Sequence, residues 1–370
     1  MSLERIEMSL LHLPFVHHFE TSFGREYDRT FLILRACADG VTGYGEVVAA
    51  AAPLYSYETT ETAWHVLQDF FIPLVFKKNL KDPADVAREL NRYRGHPMAR
   101  AGLELALWDL KAKKEGVSLS RLYGGTRSAI EAGVSIGVQD TPEELVERIG
   151  LFLDEGYRRV KIKIKPGWDV RICESIRTAY PHLLLQADAN GAYTMADGDH
   201  LRQLDAFSLL MLEQVFPPYD LLDHSRLQET IKTPLCLDES ITSATTARQA
   251  LELKSCRIVN IKVGRVGGIV EARRIHDLCE AENIPVWCGG MLESGVGRAH
   301  NVHLAALPNF VFPHDISASR RYYREDIVEP PFDITENGMI SVPDGPGIGV
   351  EVLEDRIQKA THRHQVFKPA

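Results

Sequence analysis

Five charged residues recur in this chain at an almost constant interval. Lys163 precedes Asp188 by 25 residues, Asp188 precedes Glu213 by 25, Glu213 precedes Asp238 by 25, and Asp238 precedes Lys262 by 24. Each ends or interrupts a short apolar run, at 160–164, 183–185, 209–212, 235–237 and 258–261. That interval is too short for a domain and fits one strand, one helix and two connections. Repeated, it predicts a (β/α) barrel. Strand ends converge on one face of such a barrel, so residues far apart in sequence would meet in one pocket.

Further runs near 134, 286 and 311 bring the expected strands to eight. Thr141-Pro142-Glu143-Glu144 reads as a helix start, with Thr as cap, Pro first and Glu third, and Gly156 as the stop. Residues 1–125 do not keep the interval. Runs 31–36 and 43–49 read as strands joined by the turn Ala38-Asp39-Gly40, flanked by loops at 15–26 and 49–55. From Tyr57 the pattern turns helical, with an apolar stripe at Leu103, Ala106, Leu107 and Leu110. The fold expected is therefore α/β: a modified TIM-type (β/α) barrel with an α+β capping domain. The expected division is 1–125 for the cap, 126–324 for the barrel, and 325–370 for a segment returning to the cap.

Composition narrows the partners. A net charge of −9 and a pI near 5.9 argue against nucleic acid and against a membrane surface. Six scattered cysteines without a CxxC pair read as buried free thiols in a reducing cytosol. With no bilayer-length apolar run and no signal peptide, a cytoplasmic protein is expected.

Asp188, Glu213 and Asp238 each end a strand. Three oxygen ligands at one rim favour a hard cation such as Mg²⁺, with Mn²⁺ or another divalent cation as substitutes. Without a cation they would repel and raise one another's pKa. Lys161 and Lys163 alternate with Val160, Ile162 and Ile164. A parallel barrel strand has no water-facing side, so this pair is expected to point into the site, with a lysine pKa pushed downward by desolvation. The strands of Lys163 and Lys262 are four apart, which sets the two lysines on opposite walls. They could then address opposite faces of one carbon, while the metal stabilises the oxyanion formed as the α-proton leaves.

With Lys161/Lys163, Asp188/Asn190, Glu213, Asp238/Glu239 and Lys262 in this order, the chain resembles the enolase superfamily in its muconate-lactonizing subgroup. Within it, the chain is similar to the branch of o-succinylbenzoate synthases and N-succinylamino acid (N-acylamino acid) racemases. Gly264-Arg265, the stretch from Gly289 to Gly295, and Phe19, Phe23 and Tyr55 carry that finer likeness. The resemblance implies Lys163 and Lys262 as the proton-transfer residues and Lys161 as the residue orienting the substrate carboxylate. It implies substrate contacts from Ser135, Asn190, Arg265, Gly290, Met291, Phe19, Phe23 and Tyr55. It implies a small-molecule carboxylate substrate, a menaquinone-pathway dehydration or a racemisation, and a homo-oligomer. A muconate-type cycloisomerase or a dipeptide epimerase on the same scaffold is the alternative. Ser317 stands in Asp315-Ile316-Ser317 where the epimerases carry a second Asp, which counts against free dipeptides.

Overall fold

The computed structural model describes residues 3–21 and 24–369. Its centre is a curled parallel sheet of seven strands in sequence order: Gly133–Ile136, Arg159–Lys163, Leu184–Asp188, Leu212–Glu213, Leu235–Leu237, Ile258–Ile261 and Val286–Cys288. All but Leu184 of these residues are buried, as expected for strands covered by helices outside and packed side chains inside. The eighth strand expected near 311 does not form as a strand. Its place is taken by a segment that bridges Val286 at Phe310 and Ala132 at His314. Gly133 N–H donates to the His314 carbonyl at 2.6 Å, and Asp315 N–H to that of Cys288 at 3.0 Å, so this irregular segment closes the barrel.

Connecting helices start where the sequence caps them. Thr141 Oγ1 accepts the Glu144 N–H at 3.2 Å to begin the helix Pro142–Asp154, and Ser243 does the same for Ala244–Glu252 at 3.1 Å. Gly156 leaves the first of these at φ +108°, a left-handed value that suits glycine.

An antiparallel sheet is built from β1 (Arg5–Thr21), β2 (Gly24–Ala38) and β3 (Val41–Val47). Asp39 and Gly40, at φ 52° and 75°, make the two-residue turn between β2 and β3. The strand Thr361–Phe367 pairs with the free side of β1, Ile6 opposite Phe367. β3 lies directly on the helix Pro97–Glu115. A Cβ on Gly45 would sit 2.1 Å from the Gly102 carbonyl, and one on Gly102 would sit 2.4 Å from Val47 Cγ2. Two carboxylates tie this layer to the barrel. Glu46 of β3 accepts from Ser294 Oγ at 2.5 Å and Gly297 N–H at 3.0 Å, at the start of the helix Gly295–Ala305. Glu104 accepts the Val270 N–H at 2.9 Å at the start of the helix Ile269–Ala281.

Residues 15–26 were expected as a loop; of these, 15–21 and 24–26 instead continue the β1–β2 hairpin, with a register irregularity between Pro14 and Phe19. The arm reaches the barrel. Val138 N–H donates to the Glu20 carbonyl at 3.2 Å, and a Cβ on Gly137 would lie 2.5 Å from that oxygen. All six cysteines are buried free thiols, and no helix among the described residues is long and apolar enough to cross a membrane.

Candidate active site

The strand ends bring the periodic charges together. Asp188, Glu213 and Asp238 are buried and offer carboxylate oxygens within 4.8 Å of one another. Each has a fixed second contact. Gln186 and Asn260 donate to the two oxygens of Glu213 at 2.7 Å each, and the Asn190 N–H donates to Asp188 Oδ1 at 3.0 Å. The Asp238 N–H is held by Gln214 Oε1 at 3.0 Å. Three buried carboxylates on separate strands are a donor set of the hard-cation kind, so these residues fit a divalent metal.

The lysines surround this cluster. Lys161 Nζ lies 2.5 Å from Asp315, 3.0 Å from Glu213 and 3.2 Å from Asp188. Lys163 Nζ donates to Asp188 Oδ2 at 2.6 Å and to Asn190 Oδ1 at 2.7 Å. Across the mouth, Lys262 Nζ lies 2.8 Å from Asp238 Oδ2 and 4.6 Å from the centre of the Tyr55 ring. Lys262 follows its strand and caps a short turn of helix rather than ending the strand itself.

Electrostatics differ from expectation in two respects. Burial alone would lower the pKa of Lys161 and Lys262, but neighbouring carboxylates outweigh it. Asp315 and Glu213 hold Lys161 upward, and Asp238 holds Lys262 upward. For Lys161 this reverses the expected downward shift, because the strand ends that carry the lysines face strand ends that carry acids. The expected mutual raising of the carboxylates also fails for two of them: burial raises Asp188 and Asp238, yet adjacent cations hold both below the usual carboxylate range, Lys163 and Lys161 for Asp188, Lys262 and Arg265 for Asp238. Glu213 goes the other way, pushed upward by burial and then by the Asp188 charge.

A cavity opens above these groups. Its wall includes Ser135, Lys161, Lys163, Asn190, Lys262, Gly290 and Met291 from the barrel and Phe19 and Tyr55 from the cap. Ser135 Oγ is buried without a hydrogen-bond partner among the described residues, a hydroxyl available to a ligand. Asn190 holds Lys163 and donates to Glu239 at 2.8 Å. Tyr55 reaches deeper than expected: its hydroxyl donates to Asp238 Oδ1 at 2.9 Å. Phe23 lies outside the described residues.

Two placements bear on the residues that carry the finer likeness. Arg265 does not act on Lys262 by simple proximity. It is buried, donates to the Ile241 carbonyl at 2.8 Å and pairs through Nη1 with Asp238, the counterion of Lys262. The glycine pair is small for its protein neighbours, and Gly290 also lines the cavity. A Cβ on Gly289 would lie 2.7 Å from Lys262 Cε, and one on Gly290 would lie 2.3 Å from the Asp315 carbonyl. The Met291 N–H is taken by Glu293 at 2.8 Å.

Sequence reasoning missed Asp315 as a site residue. It pairs with Lys161 and also with Arg159, whose Nη1 is 2.6 Å away at the opposite end of Lys161's own strand. The signal was present, since Asp315 follows the eighth apolar run as the other acids follow theirs. Asn260 and Gln186 gave no such signal, because neutral residues inside a strand do not break its pattern.

Fold and site thus define a barrel enzyme that sets an acidic cluster between buried lysines under a strand-and-loop cap. Comparisons agree. Residues 5–124 match the N-terminal domain of mandelate racemase / muconate lactonizing enzyme, and 144–356 match the enolase C-terminal domain-like family. The chain belongs to the enolase superfamily, in its muconate-lactonizing subgroup. It is 48% identical to an o-succinylbenzoate synthase of Geobacillus kaustophilus, over 99% of this chain and 98% of that one. It is 45% identical to an N-succinylamino acid racemase of Thermus thermophilus, over 98% of both. A solved enolase-superfamily structure from Listeria innocua superposes with a TM-score of 0.96 at 40% identity, covering all of both chains.

Proposed function

We propose that this enzyme forms an enolate from a succinyl-bearing carboxylate substrate. Its reactions would be the o-succinylbenzoate synthase dehydration, the 1,1-proton transfer of N-succinylamino acids, or both. The observation that carries this reading is the placement of Lys163 and Lys262 on opposite sides of one acidic cluster. Asp188, Glu213 and Asp238 would hold a divalent cation, Mg²⁺ in the first instance. Bound there, it supplies positive charge to the oxyanion that the substrate carboxylate becomes. Lys161, already among carboxylates, orients that substrate carboxylate. Lys163 removes the α-proton from one face, and Lys262 serves the other. In dehydration Lys163 acts first as base and then as acid, while the Lys262 ammonium steadies the enolate. The test is a panel of N-succinylamino acids, the menaquinone-pathway substrate and dipeptides. Turnover of dipeptides alone would overturn the reading in favour of an epimerase.

Arg265 separates the two reactions. It shares Asp238 with Lys262. Without it, Asp238 keeps Lys262 as its one ion-pair partner beside the Tyr55 hydroxyl and raises that lysine further, so neutral Lys262 becomes scarcer. Arg265→Gln is therefore expected to slow racemisation by about 10-fold or more, and dehydration, which uses Lys262 charged, by less. Equal losses in both rates would assign Arg265 a purely structural role.

The hairpin arm supplies the roof. Phe19 is 9% exposed, packs on Tyr322 at a ring distance of 6.4 Å and lines the cavity. Phe19→Ala should raise KM about 10-fold through lost apolar contact with the melting temperature little changed. An unchanged KM would remove Phe19 from the substrate's surroundings.

A further inference from the structure

The cavity has a cationic group on its cap side that the chemistry above does not use. Arg29 of β2 lines the cavity and is 6% exposed. Its Nη2 donates to the Val48 carbonyl, and no described carboxylate forms an ion pair with it. The other charges on that wall are accounted for differently. Arg25 is held by Glu20 at 2.6 Å and Asp140 at 3.4 Å. Glu58 accepts the Met98 and Ala99 N–H groups at 2.8 Å each. Glu26 also lines the cavity and makes no ion pair with a described residue. The Tyr323 phenol, which feels the Arg29 charge, is held upward chiefly by its own burial.

A buried guanidinium without a counterion is costly, and its planar fork matches a carboxylate. The ligand can provide that carboxylate. Both relatives described above are named for a succinyl group, which ends in a second carboxylate remote from the reacting carbon. We propose that Arg29 receives this remote carboxylate and thereby sets a preference for dianionic succinyl substrates over neutral acyl ones. The inference rests on the proposed function for the chemistry at the barrel end of the cavity.

The test begins with the unaltered protein. N-succinyl, N-succinamyl and N-acetyl derivatives of one amino acid are compared, the succinamyl amide being a neutral copy of the succinyl carboxylate. The succinyl compound should exceed the succinamyl in kcat/KM by about 10–100-fold, the range of a charged hydrogen bond, with most of the difference in KM. In Arg29→Met that ratio should fall toward one, and Arg29→Lys should keep part of it, since an ammonium supplies charge without the fork. Equal kcat/KM values in the unaltered protein, or a ratio that survives Arg29→Met, would overturn the proposal. If the Met variant does not fold, the unaltered protein and Arg29→Lys still decide. A protein that turns over none of the three compounds and does not dehydrate the menaquinone-pathway substrate sinks the proposed function instead. Calorimetric binding of the succinyl and succinamyl compounds then judges Arg29 separately, with equal affinities counting against it.

Discussion

Lys163→Ala and Lys262→Ala are each expected to abolish net racemisation while leaving exchange of the α-proton in one enantiomer. The two ammonium groups belong to strands on opposite sides of the barrel and contact different carboxylates, Asp188 and Asp238. Removing one leaves the other with its neighbours intact. In D₂O each variant should therefore wash deuterium into a single enantiomer, and the two variants should choose opposite ones. Racemisation rates should fall by about 10²–10⁴-fold, the contribution of a positioned acid or base. Dehydration should fail in both, for want of a base without Lys163 and for want of a stabilising cation without Lys262. Exchange of both enantiomers by either single variant would falsify the two-face assignment.

Removing one of the acids should be as damaging by another route. Asp238 joins the acidic cluster to Lys262, Arg265 and Tyr55 at once. Asp238→Asn is expected to cost about 10³-fold or more in rate and to weaken Mg²⁺ binding. A second readout needs no turnover. In the unaltered protein, Mg²⁺ at about 100 times its Kd should add about 2.7 kcal/mol of stability, seen as a rise in melting temperature that chelator reverses. Asp238→Asn should lose most of that rise. A variant that keeps the full rise would mean that the ion sits elsewhere.

How much of this was legible beforehand depends on what each residue answers to. The interval of the charged residues was readable because each buried strand is an uninterrupted apolar run that a single charged residue ends. The closing segment was readable as an apolar run, but it joins the barrel through isolated bridges at Phe310 and His314 rather than a strand, and run composition does not report pairing. The arm at 15–26 was hidden. Pro14, His17 and His18 break strand alternation, and its order comes from docking on Val138 rather than from propensity. Charge pairing was the least legible. Whether Arg265 meets Lys262 or Asp238, and whether Arg29 meets any acid, is settled by side chains drawn from separate elements.

The pairing of the strand Thr361–Phe367 with β1 places a delay in the making of this protein. One edge of β1 is complete only when residues some 360 positions later have been synthesised. At about 5–20 residues per second, that edge stays open for roughly 20–70 s on the ribosome. An open edge is a template for strands of other chains. Over that interval the nascent chain carries the edge unprotected while the barrel strands, close together in sequence, can already assemble. Crowded polysomes are therefore where loss of the C-terminal strand would first show, as aggregation during synthesis rather than as a weaker finished enzyme.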